Sequence, residues 1–216
     1  MRLKGFAVHF VVIFWAILLG SGLPAAAKTL QIVGFGDSLM AGYQLPQNDA
    51  YPTLLEKALQ KAGVDVAIAN AGVSGDTSES GLARVDWSIP DGTDGVILEL
   101  GANDALRGIA PEATEKNLDA IIVRLKERGI PVLLAGMMAP PNMGNDYAAR
   151  FNPIYQRIAE KHGLTLYPFF LDGVVTKASL QLEDGMHPNA DGVAVMVDRS
   201  IATVQSFLQT ILEKSK

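Results

Sequence analysis

Leu30-Gln31-Ile32-Val33-Gly34-Phe35-Gly36-Asp37-Ser38-Leu39-Met40-Ala41-Gly42 is the stretch on which the reading of this chain turns. Residues 30–35 are apolar apart from Gln31, with β-branched Ile32 and Val33 at their centre, short enough for a strand, and the turn-forming residues that follow end it abruptly. Four further runs of the same kind occur at residues 64–69, 96–100, 132–135 and 164–169. They are continuous rather than alternating, as expected of strands covered on both faces in a parallel sheet. Between them the apolar residues recur at helical spacing. Leu54, Leu55, Ala58, Leu59 and Ala62 share one face, as do Leu118, Ile121, Ile122 and Leu125, and Val193, Val197, Ile201, Val204, Leu208 and Ile211. Strand-helix alternation with five strands predicts an α/β fold, a three-layer α/β/α sandwich with right-handed crossovers. Strand order is not readable from periodicity.

Working outward, residues 1–27 read as a signal peptide. Arg2 and Lys4 form a basic start, residues 6–23 are apolar apart from His9 and a Gly-Ser-Gly break, and Pro24 precedes Ala25-Ala26-Ala27. The rival reading is an uncleaved membrane anchor, which Pro24 and the alanine run disfavour. Residues 28–216 then form a single domain with no linker or repeat, and the protein is expected to be exported, to the periplasm or beyond it. Setting aside Arg2 and Lys4 leaves 16 basic against 23 acidic residues, a net charge of −7. That balance, with no basic stripe, argues against nucleic acid or anionic lipid as a partner. No stable membrane insertion is expected after cleavage. Cysteine is absent, which excludes disulfides and thiolate metal sites.

In open parallel sheets the functional loops follow the C-terminal ends of the strands, and the polar residues of interest fall there. Ser38 stands at a strand-to-helix turn, where its N–H would face a developing oxyanion; Asp37 or Ser38 as a simple helix cap is the competing reading. Gly72, in Asn70-Ala71-Gly72-Val73-Ser74-Gly75-Asp76-Thr77, either offers a backbone N–H or makes a turn, with Asp76 or Thr77 capping the next helix. Asn103, in Gly101-Ala102-Asn103-Asp104, is either an amide donor or an Asx turn. Two histidines remain beyond residue 27. His162 ends a charged helix and reads as solvated. His187, in Asp184-Gly185-Met186-His187-Pro188, has a carboxylate three positions earlier, so Asp184 could orient the imidazole while its other nitrogen faces Ser38. A metal site using Asp184, His187, Asp37 and Asp104 is the alternative use. Each loop alone is ambiguous; the four together supply nucleophile, base, orienting acid and oxyanion donors.

These four blocks resemble the SGNH, or GDSL, hydrolases across the mature chain, through Gly36-Asp37-Ser38-Leu39, Gly72, Gly101-Ala102-Asn103-Asp104 and Asp184 to Pro188. The longer stretches Gly34 to Tyr43 and Glu99 to Gly108 are similar to the bacterial periplasmic thioesterase, lysophospholipase and arylesterase subgroup. The resemblance implies a flavodoxin-like sandwich and a cofactor-independent serine esterase. Its catalytic residues would be Ser38, Asp184 and His187. Its oxyanion hole would be the N–H groups of Ser38 and Gly72 with the Asn103 side chain. The substrate would be a small acyl ester or thioester, with no metal. The Met137 to Gly144 loop, after the fourth strand, is expected to border the acyl pocket, with core packing of its methionines as the alternative. The alternatives are a carbohydrate O-deacetylase of the same family and a flavodoxin-like binding module without turnover.

Overall fold

The computed structural model describes residues 28–214; the expected signal peptide at residues 1–27 lies outside them. Five strands, β1 (Leu30–Gly36), β2 (Val66–Gly72), β3 (Gly95–Glu99), β4 (Val132–Ala135) and β5 (Thr165–Tyr167), form one sheet. Every neighbouring pair is parallel and the order is β2-β1-β3-β4-β5. The parallel five-stranded sandwich read from the sequence is therefore the observed architecture.

The helices are α1 (Ser38–Ala41), α2 (Tyr51–Lys61), α3 (Ser78–Ser88), α4 (Ala102–Leu106), α5 (Pro111–Glu127), α6 (Asn145–Phe151), α7 (Ile154–His162) and α8 (Ala190–Lys214). α2 packs on α8, while α3, α5 and α7 form a second group, so both faces of the sheet are covered. β3 is buried along its whole length. Burying side chains such as Val96, Ile97 and Leu98 stabilises the fold by about 1.5–3 kcal/mol each before chain entropy is counted.

Two strands begin later than their apolar runs, and for one reason. Gly63 and Gly163 take left-handed conformations after α2 and α7, and the next N–H groups turn back into the helices, Val64 to Leu59 O and Leu164 to Ala159 O. The apolar residue after each glycine thus closes a helix instead of opening a strand. At its other end β2 runs on to Gly72 because pairing with β1 continues through Gly36 opposite Gly72.

α5 is tied to α6 and α7 by Glu112–Arg150, Glu115–Arg157 and Asp119–Lys161 pairs, each exposed enough to contribute little. His162 departs from its expected solvated position. Its side chain is 9% exposed and its Nε2 lies 2.7 Å from Asp119 Oδ1, so it docks α7 onto α5.

Candidate active site

β1 delivers its chemistry into a four-residue helix. Asp37 caps α1, with Oδ1 accepting the Leu39 N–H at 3.0 Å. The cap reading is therefore right for Asp37, and it leaves Ser38 as the first helical residue. There its N–H has no intrahelical partner by geometry, and none among the described residues. Arg84 of α3 fastens the strand ends below. Its Nη2 donates to Gly36 O and its Nη1 to Ala71 O, both at 2.9 Å, its Nε donates to Asp76 Oδ2, and its guanidinium covers the Phe35 ring at 4.0 Å. Nothing in the four motifs pointed to Arg84, although a lone arginine among the apolar residues of a helix was a visible signal.

His187 arrives on the loop before α8, which Asn189 caps by accepting the Gly192 N–H. Leu182 N–H donates to His187 O at 2.8 Å, closing a tight loop. Asp184 Oδ1 accepts the N–H groups of Met186 and His187 at 2.9 and 3.0 Å, and Oδ2 sits 2.6 Å from His187 Nδ1. Partial burial pushes the Asp184 carboxyl up, but the two backbone donors and the imidazole outweigh it and hold the group down at about 2. Asp184 is thus ionised at any ordinary pH. His187 Nε2 reaches Ser38 Oγ at 2.9 Å. The Tyr43 ring lies 4.4 Å from the imidazole between centroids and restrains its tilt, a contact the sequence reading missed.

Asn103 is not a cap. Gly101 takes that position in α4, and Asn103 Nδ2 donates to Asp37 Oδ2 at 3.1 Å, leaving its second hydrogen free to face a substrate oxygen. Asp104 is fully buried and accepts from Ser78 N–H, Ser78 Oγ and Thr114 Oγ1. It locks the β2–α3 loop against α4. Thr77, not Asp76, caps α3.

Gly72 departs from its expected role. Its N–H donates to Asn70 Oδ1 at 2.9 Å, and a Cβ there would stand 2.2 Å from Ala41 N. The residue is glycine because the end of β2 touches the backbone of α1. Gly75, three positions on, has φ +87. Its N–H has no partner among the described residues, while its carbonyl is held by Arg107 Nη2 at 2.8 Å.

Tyr43, Val73, Leu106, Met138 and Met186 are exposed apolar side chains on the segments that follow β1, β2, β3 and β4 and on the His187 loop. The Met137 to Gly144 methionines divide: Met137 is buried in the core, Met143 packs toward Gly108, and only Met138 is open. The acceptors of Asp37, Asp104 and Asp184 are already engaged by donors. Among the described residues no three metal-ligating side chains are gathered.

A parallel α/β/α sandwich with serine, histidine and aspartate hydrogen-bonded in series at the carboxyl edge of its sheet defines an acyl-ester hydrolase. The chain belongs to the GDSL-like lipase/acylhydrolase family, whose profile matches residues 35–195. It is 41% identical over 171 residues to an arylesterase of Vibrio mimicus, covering 78% of this chain and 86% of that one. It is 37% identical over 186 residues to the thioesterase 1/protease 1/lysophospholipase L1 of Escherichia coli K12, covering 86% and 87%. Among solved structures it resembles AlinE4, an SGNH-hydrolase family esterase, at 43% identity and a TM-score of 0.71, covering 84% and 98%. The chain is a carboxylic ester hydrolase.

Proposed function

We propose that Ser38 is the nucleophile, His187 the general base and Asp184 the acid that orients it. The observation that carries this is the unbroken series Ser38 Oγ–His187 Nε2 at 2.9 Å and His187 Nδ1–Asp184 Oδ2 at 2.6 Å. Ser38 Oγ attacks the acyl carbonyl as its proton passes to His187 Nε2. The imidazolium then protonates the departing oxygen or sulfur, and His187 next activates a water that hydrolyses the acyl-serine. Asp184, charged throughout, keeps Nδ1 protonated and Nε2 basic.

The oxyanion is assigned to the N–H of Ser38 at the start of α1, the free Nδ2 hydrogen of Asn103, and the N–H of Gly75 in place of Gly72. Asn103→Ala is expected to lower kcat by about 10²–10³ with little change in KM, read from steady-state kinetics on a p-nitrophenyl ester. A loss below tenfold would remove Asn103 from the oxyanion hole.

The substrates proposed are aryl esters, short to medium acyl esters, acyl thioesters such as acyl-CoA, and lysophospholipids. The arylesterase and thioesterase/lysophospholipase relatives support this range. So do the exposed apolar side chains Tyr43, Val73, Leu106, Met138 and Met186 on the segments after the strands and on the His187 loop, which suit an acyl chain better than a sugar. The site of action proposed is the periplasm, after removal of residues 1–27. A fluorophosphonate probe should label the wild type and not Ser38→Ala, and well-folded protein that escapes labelling would overturn the assignment of Ser38 as the nucleophile. Rates on p-nitrophenyl esters, acyl-CoAs, lysophospholipids and acetylated sugars then rank the substrates.

A further inference from the structure

Glu99, the last residue of β3, is a fully buried acid that no step of the acyl transfer uses. Its Oε2 accepts the Asp37 N–H at 3.2 Å. Its Oε1 is buried and has no partner among the described residues. The carboxyl is wedged against the nucleophile strand: a Cβ on Gly36 would stand 2.5 Å from Oε2 and 2.6 Å from the Glu99 carbonyl. Next to it, Tyr155 of α7 closes the layer by donating to Leu100 O at 2.9 Å. A carboxylate in this place would be a buried charge with one long hydrogen bond and no cation, an expensive state in a dry interior. Asp37, by contrast, accepts from Leu39 N–H and Asn103 Nδ2, which suits an ionised group.

We infer that Glu99 is a positioning residue that works as a neutral carboxylic acid, holding the Asp37 N–H beneath Ser38 and forming with Asp37 an acid pair that carries a single negative charge. The inference rests on Ser38 being the nucleophile. Through the Asp37 backbone Glu99 fixes the turn that presents Ser38. Asp37, held in place by Glu99 through its N–H, in turn orients the Asn103 amide through its own carboxylate. Burial, then the neighbouring Asp37 charge, pushes the Glu99 carboxyl well above its ordinary range, and burial raises Asp37 only to about 6. Above that pH the one negative charge therefore sits on Asp37. The other ionisable groups bearing on the pair are Tyr155 on Glu99, and Asp104 and His187 on Asp37; Arg84 binds the neighbouring Gly36 carbonyl.

Two measurements on the full chain test this. Infrared difference spectra at pH 8 should show one protonated carboxyl band that disappears in Glu99→Gln, independent of any turnover. Glu99→Gln, a neutral isostere, should keep kcat, KM, the pH profile and the fluorophosphonate labelling rate near wild type. Glu99→Leu should lose about 10² in kcat with KM little changed, and its labelling should slow in proportion. The inference is overturned if the band is missing at pH 8, if Glu99→Gln loses as much as Glu99→Leu, or if Glu99→Leu keeps its kcat. Should Glu99→Leu not fold, the band and Glu99→Gln decide the matter alone. If wild type itself resists the probe, it is the nucleophile assignment that fails.

Discussion

Ser38→Ala is expected to lower kcat/KM by about 10⁶-fold while leaving thermal unfolding almost unchanged. The size follows from covalency, because without Oγ there is no acyl-enzyme and His187 has no proton to take. The small effect on stability follows from the contacts. The Ser38 side chain makes a single hydrogen bond, to His187, and alanine is a good residue for the first turn of a helix. The α1 turn is held by groups that the substitution leaves alone, namely the Asp37 cap and the Arg84 bond to Gly36 O. Steady-state kinetics beside a thermal melt check both halves. Residual activity within tenfold of wild type would show that another residue is the nucleophile.

Asp184→Asn is expected to cost about 10⁴-fold in kcat, and the loop geometry says why so conservative a change should cost so much. In wild type Oδ1 takes two backbone N–H groups and Oδ2 faces Nδ1. An asparagine must keep its oxygen toward the two backbone donors, so its amide nitrogen is forced toward the imidazole. Nδ1 then becomes an acceptor, the proton moves to Nε2, and the nitrogen facing Ser38 can no longer act as a base. Nitrogen-15 spectra of the imidazole should report the reversed tautomer, and an unchanged tautomer with lost activity would refute the account. The same carboxylate contributes to stability with a definite sign. Its folded-state pKa is depressed to about 2, so its contribution is complete above the ordinary 3.8 and is lost as pH falls through about 2. Asp37 has the opposite sign. Raised to about 6, it favours the fold below 3.8 and disfavours it as pH rises through 6. Urea melts between pH 2 and 5 should therefore show a shallower acid loss of stability for Asp184→Asn than for wild type.

How much of this was legible in the chain depended on what kind of interaction carried the information. β1 and β3 were readable because burial on both faces writes itself as an apolar run, broken only by exposed Gln31 in β1 and closed by Glu99 in β3. Ser38 and Asn103 stood out because each lies just past such a run, at the edge where parallel sheets place their chemistry, and His187 stood out because a carboxylate, Asp184, precedes it by three positions. Gly72 shows the limit. Two glycines, Gly72 and Gly75, lie in one loop, and which has a free N–H depends on the Asn70 side chain folding back onto Gly72, a contact without periodicity. The ends of β2 and β5 were blurred because apolar residues that close helices look like apolar residues that open strands. Glu99 was visible all along as the one acid beside Val96 to Leu98, but only its burial against Gly36 gives it meaning.

The Ser38–His187 hydrogen bond joins residues 149 positions apart, and β1 lies inside the sheet with β2 on one side and β3 on the other. The strand leading into Ser38 is therefore expected to form before the His187 loop, which is tethered to the last helix and is placed only when α8 docks on α2 and β5. Contacts of such long sequence separation form late and slowly. On the proposed roles, Ser38 is expected to be presented before His187 can activate it, so reactivity toward an acyl group would be a timestamp for the completion of the chain. Refolding followed by fluorophosphonate capture would then lag behind the recovery of helical signal.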